Sequence, residues 1–527
     1  MITILQIGNN NWAEQVETLP QDIQWHFCRP NEIVPFLEAF KQAERAKIIV
    51  PSEERDAPKI RIRFNAILLT ETIDESLLEP LDSTIEAYGL YHDKGLSIRN
   101  INPTGIFRRK CLRELPSDGD ISQKIKYLSQ VLFDSQYGAK LKIPDIDVNP
   151  NFQGNIRFDG HVGMTASGYF GENFEQLFTF RYNLSSFPVA LEIWQEYVKK
   201  SDTCDLQLRI FPIRRGSLYD LQAPIILTEA DMQEPYVIPV ENEKISFYSV
   251  SIYAKGEGEI TFGPLHWRYS RVGLGRFVLG GERHSDGKRQ EIITYFNPGD
   301  MKPPMTVYFS GYRTAEGFEG YGIMKSLKTP FMLIGDPRLE GGSFYIGTPE
   351  LEQKIVAAIQ ESLDYLGFSS TDLILSGMSM GTYGALYYAA HFNPYAVVVG
   401  KPFTNLGDTV KGMKLLRPDE FETSADVLLN ATGGTSLANI DNLNKKFWEK
   451  FTTSDFPDTH FAIAYMEQDD YDRSATEKLI NHLSQKNAHI YAKGYEGRHN
   501  DNSHSIKKWF MKQYVDLLEE GYERRDK

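Results

Sequence analysis

The chain has 527 residues, of which 41% are hydrophobic, and a formal net charge of −14. This length is enough for about three domains, and the hydrophobic fraction is enough to fill their cores. Nucleic acid is excluded as the main partner, because phosphate binding needs a concentrated basic face and the sequence contains none. The three cysteines, Cys28, Cys111 and Cys204, show neither metal-ligand spacing nor a disulfide pattern, which predicts a reducing compartment.

Residues 1–143 are predicted to form a small α/β domain. Three apolar runs predict buried strands there: Ile2–Ile7, residues 47–50 and Ala66–Leu69. A charged helical stretch over residues 120–133 is expected to close the domain. Residues 144–150, with a proline at each end, are interpreted as a linker.

Residues 151–271 change to short alternating runs, which predict an antiparallel β-sandwich. The clearest runs are residues 175–182, 206–211, 245–254 and 260–267. Aromatic residues of this region either form a platform for stacking sugars or fill the core of the sandwich, and the core is favoured. They are Tyr169, Phe170, Tyr219, Tyr253 and Trp267.

Residues 272–527 alternate strands with helices, which predicts a doubly wound, mostly parallel sheet of the α/β-hydrolase class. Thr348 and Pro349 predict the start of a crossover helix that ends at Gly367. The motif G-x-S-x-G at residues 377–381 follows an apolar strand and precedes a helix-forming run. This order makes Ser379 the candidate nucleophile, because the elbow is a sharp turn that needs glycines around the serine.

A histidine and an acid are expected after the nucleophile, in loops that follow parallel strands. His499 ends the Gly-x-His turn that follows a predicted strand at residues 489–492, and it is the predicted base. His504, in the same polar loop, is its nearest rival, whereas His482 and His489 are expected to be structural.

The acid is expected in the loop after the predicted strand at residues 461–466. Asp469 is favoured because it is the third residue past the strand, and Glu467 is the runner-up. Asp470 and Asp472 are expected to be solvated surface charges.

The oxyanion hole is predicted to use the amide of Met380, which follows the nucleophile. A second amide is expected from Gly311 or Tyr312, after the strand Met305–Phe309. Arg313 is a candidate contact for an acyl or sugar oxygen, with a structural ion pair as the alternative.

No metal site is expected, because the histidines and acids lack the paired spacing of zinc or two-metal centres. The first residues lack the features of a signal peptide, and no run of about 20 apolar residues is present. These features predict a cytoplasmic protein, with peripheral attachment to the inner face of the cell membrane left open.

Four blocks of the sequence resemble the second of the accessory Sec system proteins, and the resemblance extends over the whole chain. The blocks are residues 251–256 (SIYAKG), 308–319 (YFSGYRTAEGFE), 377–385 (GMSMGTYGA) and 497–501 (GRHND). The resemblance implies a protein of Gram-positive bacteria that serves the export of serine-rich-repeat glycoprotein adhesins. It also implies two sister accessory Sec proteins, a dedicated motor ATPase and a channel as partners.

The same resemblance implies O-acetylation of N-acetylglucosamine on the adhesin. It places the serine, acid and histidine at Ser379, within residues 467–472 and at His499. The acid of the family is commonly glutamate, so the choice between Asp469 and Glu467 stays open. No bound cofactor is expected, although an acetyl donor is required. The alternatives are a non-catalytic scaffold of the secretion complex and a carbohydrate acetyl-esterase.

Overall fold

The computed structural model describes residues 1–47, 61–98, 101–217, 220, 222–240, 244–416 and 421–524. The chain divides into two compact units. The first comprises Met1–Ser135, Ser270–Gly280 and Asn297–Met301, and the second comprises Gln136–Tyr269, Gly281–Phe296 and Lys302–Lys527. The second unit contains both the antiparallel sheet and the sheet that carries the G-x-S-x-G motif.

The first unit is built on a five-stranded parallel sheet of order β2-β1-β3-β4-β5. Its elements are β1 (Ile2–Ile7), β2 (Ile23–Cys28), α1 (Ile33–Ala46), β3 (Ala66–Leu69), β4 (Leu90–His92), α2 (Ile106–Arg109), β5 (Arg113–Glu114) and α3 (Ile121–Val131). The apolar strands β1 and β3 lie at its centre, as expected for a parallel sheet covered on both faces. Asp120 caps α3 through its side chain. Of the predicted strand at residues 47–50, residues 48–50 lie outside the described residues.

The second unit begins with an antiparallel sheet of ten strands. They are β6 (Gly138–Leu141), β7 (Ile146–Val148), β8 (Asn155–Asp159), β9 (Gly163–Phe180), β10 (Leu184–Ser185), β11 (Leu191–Lys199), β12 (Cys204–Arg214), β13 (Ile225–Thr228), β14 (Tyr236–Ile238) and β15 (Ile245–Tyr269). The long strand β15 pairs with β12 and β11 along one edge and with β9 and β6 along the other. The sheet thereby wraps around one apolar core.

Two details of this region differ from the sequence-based expectation. The predicted linker contains β7, whose Ile146 is opposite Phe180 in β9. The two runs predicted at residues 245–254 and 260–267 form one strand, since register shifts around Gly256 bend the strand without ending it. Gly256 has φ 87°, a conformation that favours glycine.

Of the five aromatic residues considered for sugar stacking, the structure describes four, and two of these lie in the interior of the antiparallel sheet. Phe170 and Trp267 are buried, and the ring of Tyr253 lies beneath the Arg209 guanidinium. Tyr169 is exposed, and Tyr219 lies outside the described residues.

The rest of the second unit is an eight-stranded sheet of order β16-β17-β19-β18-β20-β21-β22-β23, in which the strands from β18 to β23 are parallel. Its elements are β16 (Gly281–Ser285), β17 (Glu291–Asn297), β18 (Met305–Phe309), α4 (Tyr321–Ser326), β19 (Phe331–Gly335), α5 (Pro349–Leu366), β20 (Leu373–Met378), α6 (Met380–Phe392), β21 (Ala396–Gly400), α7 (Leu406–Leu416), α8 (Ser424–Thr432), α9 (Leu437–Phe451), β22 (His460–Met466), α10 (Ala475–Leu483), β23 (His489–Tyr495) and α11 (Ser503–Tyr522). Thr348 caps α5 and Gly367 ends it, as predicted. The predicted α/β class, with an α/β-hydrolase region and an antiparallel region, is confirmed.

None of the helices in the described part of the chain combines the length and apolarity needed to cross a bilayer.

Candidate active site

Ser379 lies on a strained turn between β20 and α6, with φ 51° and ψ −122°. Neither Gly377 nor Gly381 has room for a side chain. A Cβ atom added to Gly377 would lie 2.4 Å from the carbonyl oxygen of Gly381, and one added to Gly381 would lie 2.0 Å from the Phe309 oxygen. Gly377 is therefore explained by the close approach of the elbow's own backbone, and Gly381 by the packing of the elbow against β18.

The Ser379 hydroxyl, the His499 imidazole and the Asp469 carboxylate form a continuous hydrogen-bonded relay. Ser379 Oγ lies 2.9 Å from His499 Nε2, and His499 Nδ1 lies 2.9 Å from Asp469 Oδ2. Asp469 Oδ1 accepts hydrogen bonds from the amides of Tyr471 and Asp472, at 2.9 and 3.3 Å. These amides fix the carboxylate, so that its other oxygen can orient the imidazole for proton transfer from serine.

The other acids of this loop have different positions. Glu467 is exposed, and Asp470 accepts a hydrogen bond from the His499 amide at 3.1 Å. The expectation that Asp472 is a solvated charge is wrong. Asp472 is buried and accepts the amides of Thr404 and Asn405 at 2.7 and 2.6 Å, and burial raises its pKa.

Aromatic rings enclose the imidazole of His499, which is 2% exposed. The Tyr471 ring is stacked on it with centroids 4.3 Å apart and an interplanar angle of 4°. Phe403 approaches it at 5.0 Å. These rings shield the imidazole from water and would present a π face to an imidazolium cation at this position.

Lys401 supports the loop that carries the base. Its buried ammonium donates to the Asp501 carbonyl at 2.9 Å and to Ser503 Oγ at 3.0 Å. Burial lowers the pKa of Lys401, while the charge of Asp469 acts in the opposite direction. Sequence reasoning missed this lysine, although it directly follows β21 at the same edge of the sheet as the elbow.

The three other histidines beyond the acidic loop lie elsewhere. His482 is in α10, His489 begins β23, and His504 is the second residue of α11. The hydrogen bond to Ser379 is made by His499.

The predicted oxyanion donors differ in their availability. Met380 is the first residue of α6, where an amide has no acceptor within its own helix. The Gly311 amide instead donates to Glu319 Oε2 at 2.7 Å. Of the two amides proposed after β18, that of Tyr312 is therefore the better candidate.

Residues 310–319, hereafter the oxyanion loop, lie beside the elbow. A Cβ atom added to Gly311 would be 3.4 Å from the Met378 carbonyl oxygen. Arg313 donates to the Phe318 carbonyl at 2.9 Å, a contact within the loop. The role of Arg313 in substrate binding stays a prediction.

A buried group of potential metal ligands lies where the antiparallel sheet meets the oxyanion loop. Ligand atoms of His266, Glu291 and Glu316 lie within 4.8 Å of one another. Arg268 contacts Glu291, and Lys140 Nζ lies 3.3 Å from Glu316. Because these cations already balance the carboxylates, the group does not fit a divalent metal ion.

Comparisons with known proteins give a consistent match over the full chain. The family profile described as the accessory Sec system GspB-transporter matches residues 2–524. The second accessory Sec system protein of Staphylococcus aureus is 42% identical over 99% of this chain and 97% of its own length. That of Streptococcus gordonii is 38% identical over 99% of both chains.

A solved structure of the Glycosylation Associate Protein (Gap123) complex from Streptococcus agalactiae contains a chain with the same fold. Its TM-score is 0.91 at 40% identity, covering 100% of this chain and 99% of that one. Since profile, relatives and structure all match nearly end to end, the chain belongs to the second accessory Sec system protein family, the accessory Sec system GspB-transporters.

Proposed function

We propose that this accessory Sec component is a serine O-acetyltransferase, which transfers an acetyl group through acetyl-Ser379 to N-acetylglucosamine on a serine-rich-repeat glycoprotein adhesin. The observation that carries the proposal is the relay from Ser379 through His499 to Asp469, with 2.9 Å at each step. The sugar and adhesin follow from the family resemblance.

In the first half-reaction, Ser379 Oγ attacks the carbonyl carbon of an acetyl donor while His499 Nε2 takes the hydroxyl proton. The amides of Met380 and Tyr312 stabilise the negative charge on the carbonyl oxygen, and the helix dipole of α6 adds to this effect. The bond to the donor group then breaks, and His499 protonates that leaving group. The acetyl group remains on Ser379.

In the second half-reaction, a sugar hydroxyl attacks acetyl-Ser379 and gives its proton to His499. Collapse of the tetrahedral intermediate releases the acetylated sugar, and the proton returns to Ser379. Water can replace the sugar, which would make the protein an esterase. Transfer therefore depends on an acceptor that excludes water from the acetyl-enzyme.

Two sister accessory Sec proteins are the proposed stable partners, because the chain of similar fold from Streptococcus agalactiae was solved in a complex described as Gap123. The motor ATPase and the glycosylated adhesin are proposed as the further partners during export.

The test is acetyl transfer from p-nitrophenyl acetate by the purified protein, with and without an N-acetylglucosamine glycopeptide. Ser379→Ala and His499→Ala should lower acetyl release by about 10⁴-fold or more. His504→Ala is the matched control, since His504 lies in the same polar segment and is exposed, and it should retain wild-type turnover.

Three outcomes separate the candidate functions. Acetylated glycopeptide formed at the expense of free acetate supports the transferase. Hydrolysis that the glycopeptide does not divert supports the esterase. Equal inertness of wild type and Ser379→Ala, together with intact adhesin export in Ser379→Ala cells, supports the scaffold.

A further inference from the structure

The oxyanion loop is held on one side by its own residues. Ser310 Oγ accepts the Glu319 amide at 3.3 Å, while Glu319 accepts the Gly311 amide at 2.7 Å. Tyr345 donates its hydroxyl proton to the Ser310 carbonyl at 2.5 Å. These contacts fix the start of the loop, where the Tyr312 amide lies.

The other side of the oxyanion loop pairs with the antiparallel sheet. The Glu316 amide donates to the Gly138 carbonyl at 2.8 Å, which makes an isolated antiparallel bridge at the start of β6. Gln136 Nε2 donates to the Phe318 carbonyl at 3.0 Å, and the Phe318 amide donates to Gln136 Oε1 at 2.9 Å. The loop thereby extends the edge of β6 by a short segment.

The Glu316 side chain anchors this segment in a buried ion cluster. Its carboxylate lies 2.6 Å from His266 Nδ1 and 3.3 Å from both Lys140 Nζ and Arg268 Nη2. On the opposite side of the ring, His266 Nε2 lies 2.9 Å from Glu196. All of these groups are buried.

Burial of so many charges carries a cost in folding free energy, since each ion loses hydration that mutual attraction and hydrogen bonds must offset. A well-packed apolar contact would join the oxyanion loop to the antiparallel sheet at a smaller cost in folding free energy. The cluster does something that an apolar contact cannot do, because its hydrogen bonds fix the direction of the loop as well as its distance from the sheet.

Lys140 joins the cluster to a second segment near the elbow. Besides Glu316, it donates to the Pro337 carbonyl at 2.9 Å. The segment after Pro337 reaches the elbow at Gly342, where an added Cβ would lie 2.7 Å from Met380 Cε. One lysine of β6 therefore contacts both chain segments that flank the predicted oxyanion hole.

We infer that Glu316 and Gln136 are positioning residues, which fix the oxyanion loop on the antiparallel sheet so that the Tyr312 amide is aimed at the reacting carbonyl. The antiparallel sheet is then part of the catalytic apparatus, and its place in the enzyme does not depend on binding glycan. This inference rests on the proposed acyl-transfer function.

The first test uses Gln136→Ala in the full-length protein, with kcat and KM for p-nitrophenyl acetate and hydrogen exchange of the peptide over residues 310–319. The variant removes two uncharged hydrogen bonds to the loop. We expect kcat to fall about tenfold or more with KM within about twofold, and exchange of the loop amides to accelerate. The matched control is Gln195→Ala, because Gln195 also makes two side-chain hydrogen bonds to backbone carbonyls of the sheet, at 2.8 Å each, but outside the loop.

The second test compares Glu316→Gln with Glu196→Gln. Each variant replaces one of the two carboxylates that contact the His266 imidazole, and of these two residues only Glu316 belongs to the oxyanion loop. If both variants lose similar thermal stability and Glu316→Gln alone loses kcat by about tenfold or more, the positioning role is supported.

Each remaining outcome overturns the inference. Unchanged loop exchange in Gln136→Ala would show that the sheet does not hold the loop. Faster amide exchange with unchanged kcat would show that Gln136 holds the oxyanion loop on the sheet but that this contact does not orient the Tyr312 amide for catalysis. A wild-type protein without turnover would overturn the proposed function together with this inference, whereas an active wild type with an equally active Gln136→Ala would overturn this inference alone.

Discussion

Asp469→Asn should inactivate the relay while leaving its geometry nearly intact. Asp469 Oδ1 already accepts two backbone amides, so the asparagine carbonyl oxygen would take that place and its NH₂ would face His499 Nδ1. Nδ1 would then have to accept a hydrogen bond from this NH₂, so the single ring proton would lie on Nε2, pointing toward Ser379 Oγ. A base that already carries its proton on Nε2 cannot remove the serine proton.

The expected loss in kcat is about 10²- to 10⁴-fold, or roughly 3 to 5 kcal/mol of transition-state stabilisation. The smaller loss is expected if a fraction of the molecules has the imidazole proton on Nδ1, which leaves Nε2 free to accept the serine proton. KM should change little, because the carboxylate contacts the base and not the substrate.

The assay is p-nitrophenol release, followed from the burst phase into steady state. Glu467→Gln is the matched control, since Glu467 lies two residues away in the same loop with an exposed side chain. It should keep kcat within about twofold. If Glu467→Gln loses activity and Asp469→Asn does not, Glu467 is the acid and the reasoning from the hydrogen bonds is refuted.

Three further predictions concern the elbow, the base and the buried cluster. Gly381→Ala should destabilise the fold by about 1–3 kcal/mol and abolish turnover, since its Cβ would lie 2.0 Å from a main-chain oxygen of β18; Gly322→Ala, with open space around it, is the control in thermal melts. Tyr471→Leu should lower kcat about 2- to 30-fold at constant KM through loss of the ring stacked on His499, and equal kcat in Tyr471→Leu and Tyr471→Phe would contradict this. Burial alone would lower the pKa of His266, but the surrounding carboxylates raise it from 6.5 to about 9, so its stabilising charge is fully present below about pH 6.5 and lost as the pH rises through about 9. The urea concentration at the unfolding midpoint should therefore decrease as the pH is raised from 7 to 10. A midpoint that does not change with pH would contradict the raised pKa of His266.

Much of the candidate site could be predicted because its parts are local in sequence. The elbow depends on Gly377 and Gly381 within two residues of Ser379, and strand, turn and helix follow in one short segment. The acidic loop directly follows β22, His499 lies four residues past the end of β23, and parallel strands bring their carboxyl ends to one edge of the sheet. The sequence patterns therefore predicted the serine, the histidine and the acidic loop that the structure brings together.

Contacts between distant segments decided the rest. The choice of Asp469 over Glu467 depends on side-chain direction, which sequence spacing does not specify. The Gly311 amide is occupied because the loop folds back and brings Glu319 to it.

Hydrophobic periodicity and glycine placement act over a few residues, so the class of fold and the elements that carry the candidate nucleophile and base could be predicted without the structure. The folded chain alone shows which carboxylate contacts the imidazole, which amide is left for an oxyanion, and that His266 of the antiparallel sheet is hydrogen-bonded to Glu316 of the oxyanion loop. These pairings join residues 8 to 50 positions apart in the chain, and only packing of the sheets and loops sets the distances between their atoms.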